Sequence, residues 1–464
     1  MAFFPRLRHF LLMIMRRWFF FISILVGTGV HTVFALDTIS RVLTVETAVK
    51  IALDNNLGLS RSSLDVQTKK RTADRSWNSL LPTVSAAGIV SHPSSVTGPI
   101  EPESLDVWTP GFSLSAGLTL SVSVIDNIKK ARADYELGLL NYEAAREELE
   151  LSTRKLFYQI LLLDANRELA AQNFASAEER HEQSAALARL GQAPTLDELS
   201  ARVDMENLRP ALRNAGVLYE NALDSFKTIL GFPRDAVISL DGSLSDSFIG
   251  NISGDEFSTN EAWPPKDALH LTESWTPSES LEAASLRKSI QSLESQRNGI
   301  RNGAYVPNLR LSWNSTPLYS TQNKIWNDNG SFSISLGLNL DNFLPWSSVK
   351  TQVDNLDDNI RSAQIQLSDA LRSREDRVSQ NMRTVEGILE SREAMKLNVE
   401  LAQSTYEMYE DAYKKGAADY QQLRNSRDSL EQAKNRLLQE QYNLISGLLD
   451  LEKELNVPFG TLWN

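Results

Sequence analysis

Among its 464 residues the chain has no cysteine. That excludes disulfides, thiolate chemistry and lipidation of an N-terminal cysteine. Its five histidines are scattered, without metal-ligand spacing. No phosphate-cradling glycine loop and no nucleophile elbow occurs. The sequence therefore offers no catalytic constellation, cofactor site or metal site, and the chain is expected not to be an enzyme. Positive charge is in deficit: 47 Lys and Arg stand against 59 Asp and Glu, a formal net charge of −12. Such acidity disfavours nucleic acid as a partner.

Long apolar runs are confined to the N-terminus. Residues 1–35 carry Arg6, Arg8, Arg16 and Arg17, an apolar run from Trp18 to Val30, then Val33, Phe34 and Ala35, which fit a small-x-small cleavage site. A secretory signal peptide is expected there. The competing reading, a retained anchor helix, suits a short, glycine-containing run less well. Removing the four arginines takes the charge from −12 to −16. Nothing later is apolar enough to cross a membrane as a helix.

What is present is built twice. Pro82 and Pro307, Gly191 and Gly416, and Pro233 and Pro458 are each 225 residues apart, the register of a duplicated supersecondary unit. The expected boundaries are 36–240 for the first repeat, 241–280 for an inter-repeat linker and 281–464 for the second repeat. Each repeat reads as a short helix, a strand, a polar loop, a second strand, a very long helix, a glycine turn and another long helix. The linker is rich in Ser, Asp, Gly and Pro around Trp263, Pro264 and Pro265. Asn251 to Ser253 match a glycosylation sequon, read here as accidental.

From Phe112 to Val124 the chain alternates. Phe112, Leu114, Ala116, Leu118, Leu120, Val122 and Val124 fall on one face, with Ser, Gly and Thr on the other. Phe332, Ile334, Leu336, Leu338 and Leu340 repeat the pattern, and Val84–Val90 and Leu309–Trp313 read as the partner strands. A transmembrane β-strand needs about 9–11 residues with one lipid face and one lumen face. The apolar residues are the candidate lipid-facing set. Ser91–Pro110 and Asn314–Gly330 read as exposed loops. Four strands cannot close a membrane barrel, so further subunits are required, and three copies would supply twelve. An amphipathic sheet on a soluble core is the alternative for any single strand.

Two segments, about Asp126–Leu190 and Ser347–Lys415, lack proline and are nearly free of glycine. At 1.5 Å per residue, each predicts a helix on the order of 100 Å long. Both end at glycine turns, Gly191 and Gly416, before the return helices Leu196–Leu230 and Tyr420–Leu455. Pro210 is expected to kink the first return helix.

With these features the chain resembles the TolC family of outer-membrane efflux and secretion channels. The resemblance rests on "LTVETAVKIALDNNLGL" from Leu43, "LLPTVSAAG" from Leu80, "LDNFLPWS" from Leu340, the turns "GQAPTLDEL" and "GAADYQQL", and the helix ends "LGFP" and "LNVP". It implies a mainly α fold with transmembrane β: a homotrimeric twelve-stranded β-barrel in the outer membrane, continued by a twelve-helix α-barrel across the periplasm. It also implies a periplasmic adaptor and an inner-membrane pump as partners. The glycine-turn tips would form the periplasmic gate, involving Gly191, Thr195, Asp197, Gly416, Asp419, Tyr420, Gln422 and Asn425. Family members carry paired aspartates where this chain has Gln422 and Asn425, so that acidic ring is absent. Asp197 and Asp419 either bias the entrance toward cations or favour helix starts. A coiled-coil spacer or adhesin without a pore is the competing function; it leaves the duplicated hairpins unexplained.

Overall fold

The computed structural model describes residues 41–92, 109–192, 194–242, 244, 280–320, 324–328 and 330–462. The signal peptide, most of the first loop and linker, and the Asn251 sequon lie outside them. In chain order the elements are β1 (Arg41–Leu43), α1 (Val45–Asn55), α2 (Leu57–Asp74), β2 (Thr83–Ser91), β3 (Thr109–Leu120), α3 (Ser123–Arg189), α4 (Thr195–Leu230) and β4 (Ile238–Leu240). There follow α5 (Leu281–Tyr305), β5 (Asn308–Ser315), β6 (Leu318–Ser320), β7 (Ile325–Asn327), β8 (Ser331–Gly337), α6 (Ser348–Lys414) and α7 (Tyr420–Leu455). Short 3₁₀ turns span Ser76–Leu80 and Leu340–Phe343. The chain divides into two compact units. Of the described residues, the smaller holds Arg41, Val42 and Asp235–Ser239, which include parts of the paired short strands β1 and β4. The larger holds everything else described.

In the larger unit, α3 and α6 each run 67 residues, about 100 Å at 1.5 Å rise. Neither contains proline, and each packs against its return helix. In the α6–α7 pair, Val378, Val385, Leu444, Leu448, Leu451 and Leu455 form a continuous core. In the α3–α4 pair, Phe157 and Phe226 are fully buried with ring centroids 6.2 Å apart. α4 continues through Pro210; the proline has no N–H to donate to the carbonyl one turn back. Polar ties join the pairs: Lys155 on α3 to Asp450 on α7 at 2.6 Å, and Arg297 on α5 to Asp357 on α6 at 2.8 Å. The short helix that opens the first repeat is two helices, α1 and α2, broken at Asn56. This residue leaves the helical region, accepts from Leu59 N with its side chain, and donates its amide to the Ile229 carbonyl at 3.0 Å.

The sheet joins both hairpins. β3 pairs with β2 on one side and β5 on the other, and β5 pairs with β8, all antiparallel. β6 and β7 pair with each other beyond the break at Thr316–Pro317, with Leu318 opposite Gly111. The second loop, expected to be irregular over Asn314–Gly330, is therefore partly a bent extension of its hairpin. A Cβ on Gly111 would lie 2.8 Å from the Pro317 carbonyl oxygen, a backbone clash that glycine avoids where the extension closes over β3.

Both candidate strands end earlier than alternation predicts. After Leu120 the amides of Val124 and Ile125 bond back to the carbonyls of Ser121 and Val122. Val122 and Val124 therefore belong to the start of α3, where Val124 is buried. Leu338 lies just past β8, and Leu340 opens the 3₁₀ turn closed by Leu344 N to Asp341 O. Gly337 and Asn339 suit this departure, and Ser347 then caps α6 by accepting from Lys350 N at 3.2 Å.

Candidate functional site

Residues directly opposite in an antiparallel ladder share a face, so the register sorts every strand residue. Phe112, Leu114, Ala116, Leu118 and Leu120 of β3 share a face with Val84, Ala86 and Val90 of β2, with Leu309, Leu311 and Trp313 of β5, and with Phe332, Ile334 and Leu336 of β8. The opposite face carries Ser85, Ser115, Ser312, Ser333, Arg310 and Asn314. There Ser85 bonds Ser115 at 2.7 Å, and Ser312 bonds Ser333 at 2.8 Å. Among the described residues much of the apolar side is uncovered: Leu336 is 74 % exposed and Val84 75 %. The candidate lipid-facing residues thus lie on one surface, except Leu338, which follows the strand. The outer edges of β2 and β8 bond to no other strand among the described residues.

At the far ends of the long helices, both turns use the same geometry. Gly191 and Gly416 adopt φ of 69° and 71°. Gln192 N reaches Leu187 O at 2.9 Å, and Ala417 N reaches Ala412 O at 2.8 Å. This is the 6→1 closure of a Schellman turn, which requires the left-handed conformation at the residue after the cap. A Cβ would meet nothing at either glycine, so conformation alone demands the residue.

The two aspartates of the tips behave differently. Asp419 accepts from Gln422 N at 2.8 Å while Gln422 Oε1 accepts from Asp419 N at 3.1 Å, a reciprocal capping box. Asp197 lies in the first turn of α4, whose N-cap is Pro194 without a side-chain bond; it is half-buried beside exposed Thr195. Gln422 and Asn425 are exposed on α7 and line a groove with Leu401, Thr405 and Tyr409 of α6.

Tyr420, the first residue of α7, leads to a group absent from the sequence expectation. Its hydroxyl donates to Asp204 Oδ2 on α4 at 2.7 Å, and Arg424 Nε lies 3.2 Å from Asp204 Oδ1. Asp204 is only 2 % exposed. Burial, then the hydrogen bond and charge of Asp204, hold the Tyr420 phenol well above its ordinary pKa. The Tyr420 ring also packs edge-on to Tyr413 at 5.9 Å. Farther from the tips, Arg180 on α3 donates to Tyr406 on α6 at 3.0 Å. These contacts tie one helix pair to the other near its free end. Asp204, Arg424 and Arg180 read as ordinary helix-surface charges in sequence, because their partners are more than 200 residues away; the Asp204–Tyr420 separation is 216.

Among the described residues no helix is long and apolar enough to cross a membrane, and no acidic or histidine cluster could hold a metal ion. The sheet is the membrane candidate, and the helix tips are the candidate gate.

Residues 48–231 match the model of the outer membrane efflux protein family. No curated protein matches at the sequence level. Among solved structures, the chain is similar to the CmeC outer membrane channel of Campylobacter jejuni, at 16% identity and TM-score 0.70, covering 89% of this chain and 85% of that one. The outer membrane protein VceC of Vibrio cholerae gives 14% and 0.68, covering 89% and 96%. The open state of the MtrE outer membrane channel of Neisseria gonorrhoeae gives 17% and 0.68, covering 89% of each chain. At such identities the likenesses establish the fold, helical barrel and β-barrel together. The chain is thus similar to the outer membrane efflux protein family over residues 48–231, and to the fold of these outer-membrane channels over most of its length.

Proposed function

We propose that this chain is the passive outer-membrane exit duct of a tripartite efflux pump or type I secretion system, carrying small molecules or proteins outward without chemistry. The observation that supports this most is the sheet: a contiguous apolar face exposed to solvent, a serine-lined opposite face, and two open edges. Lipid satisfies the first, a water-filled lumen the second, and neighbouring copies the third. A soluble spacer or adhesin would leave this apolar face in water.

Three copies supply twelve strands and twelve long helices. On this reading the chain reaches from the outer membrane into the periplasm, where an adaptor and an inner-membrane pump meet the helix tips. Exposed Leu187, Leu190, Leu196 and Leu199 on the α3–α4 tip offer the adaptor an apolar surface. The gate comprises both glycine turns with Thr195, Asp197, Tyr420, Gln422 and Asn425, held by the Asp204 latch; Asp419 serves it as the cap of α7. The repeats 36–240 and 281–464, the joining segment 241–280 and a removable signal over 1–35 complete the organisation. Mass in mild detergent, with heat-modifiable migration, tests the assembly. A trimer that dissociates on heating is the expected result; a detergent-independent, water-soluble monomer would overturn it.

A further inference from the structure

The bent extension of the second hairpin places aromatic side chains where the sheet is farthest from the helices. β6 and β7 pair with Tyr319 opposite Trp326, and the two rings lie 5.4 Å apart. Trp326 also lies 5.7 Å from Phe112, which stands on the apolar face of β3. Tyr319, Trp326 and Phe112 therefore form one cluster on that face, and Trp326 remains 54 % exposed. Trp313 opposite Phe332 follows at a lower level; below it the face is aliphatic, with Leu118, Leu311 and Ile334 and then Leu120, Leu309 and Leu336. Aromatic and aliphatic levels are thus segregated along the strands.

Amphipathic rings belong at the boundary between acyl chains and headgroups, where the apolar body is buried and the polar tip stays wet. The eight-residue step from Phe112 to Leu120 spans about 27 Å at 3.4 Å per residue. Strand tilt reduces that to roughly 20 Å, near the apolar band of about 25 Å on membrane barrels. Exposed Lys324 lies two residues before Trp326 in the left-handed conformation, φ 54°, and carries a positive charge complementary to anionic headgroups.

We propose that the β6–β7 extension is an outer-leaflet anchor: Tyr319 and Trp326, with Lys324 just before β7, engage the headgroup boundary of the outer leaflet and set the depth at which the barrel sits. This rests on the reading of the apolar sheet face as lipid-facing. The continuity of the cluster with that face selects lipid as the occupant over a second copy of the chain.

The absence of cysteine permits unique labelling. Nitroxide would be attached to Trp326→Cys, Tyr319→Cys, Leu118→Cys and Thr119→Cys in the full-length protein, reconstituted in vesicles of phosphatidylethanolamine and lipopolysaccharide. Collision rates with oxygen, which partitions into lipid, and with a water-soluble nickel chelate report depth. The oxygen-to-nickel ratio is expected to be highest at 118, lowest at the lumen position 119, and severalfold removed from both at 326 and 319. If 118 is lipid-exposed but 326 and 319 match 119, or are shielded from both reagents by another subunit, the anchor is wrong while the barrel stands. If 118 is itself not lipid-exposed, the underlying reading fails. Tyr319→Cys reports the same level should Trp326→Cys fail to assemble.

Discussion

Replacing Tyr420 by phenylalanine removes one hydroxyl and leaves the ring against Tyr413. The lost bond is to a buried carboxylate at 2.7 Å, and with Asp204 only 2 % exposed, water replaces it poorly. A hydrogen bond to a charged group is worth about 1.5–3 kcal/mol. Taking about 2 kcal/mol, the balance between latched and unlatched tips shifts about thirtyfold in one chain. In a trimer whose tips open together, three such losses add to about 6 kcal/mol. Arg424 remains 3.2 Å from Asp204 and retains part of the tie; because both partners share one carboxylate, Arg424→Gln and Tyr420→Phe should combine non-additively. The assays are single-channel conductance in planar bilayers and uptake of a large hydrophilic antibiotic by cells. The variant is expected to conduct more, and the double variant more again. Unchanged conductance and uptake in correctly assembled Tyr420→Phe protein would refute the latch.

The phenol also sets a pH window. Its pKa is raised in the folded chain, so its contribution is fully present below the ordinary tyrosine value of about 10 and is lost only as pH rises through the higher folded value; conductance measured from neutral pH to 10 should show no opening from this group. Leu118→Arg, on the apolar face, should destabilise the barrel by about 2–4 kcal/mol while Thr119→Arg, on the serine-lined face, should be tolerated; equal heat stability of the two assemblies would count against the register. Gly416→Val forces a β-branched residue to φ 71°, at a cost of about 1–2 kcal/mol or more, and should alter conductance without affecting membrane insertion. Glu452 is fully buried and accepts from Gly460 N and Leu462 N. Glu452→Ala strands both donors at about 1–3 kcal/mol each, and proteolysis should release the C-terminal turn.

Much of this architecture was legible because its signals are periodic. The alternation around Leu114 and Ile334 marks strands with two unlike faces, and Gly191 and Gly416 mark helix ends that only a left-handed residue can close. Ser121–Ser123 misled because short polar residues between valines alternate equally well in a strand or across a strand-to-helix turn; the backbone bonds of Val124 and Ile125 decide it. The three-residue strands around Tyr319 and Trp326 were hidden by flanking Pro317, Asp328 and Gly330, which read as a loop. The latch was invisible for a different reason. An aspartate within a charged helix looks solvated until a tyrosine 216 residues away closes over it.

The account turns on whether these chains enclose a pore. Single-channel recording of the protein purified from outer membranes and inserted into a planar bilayer tests that most directly. Discrete, gated current steps from the wild-type assembly, enlarged by Tyr420→Phe, are predicted. A folded, stably inserted protein that passes no current in either form would contradict the account.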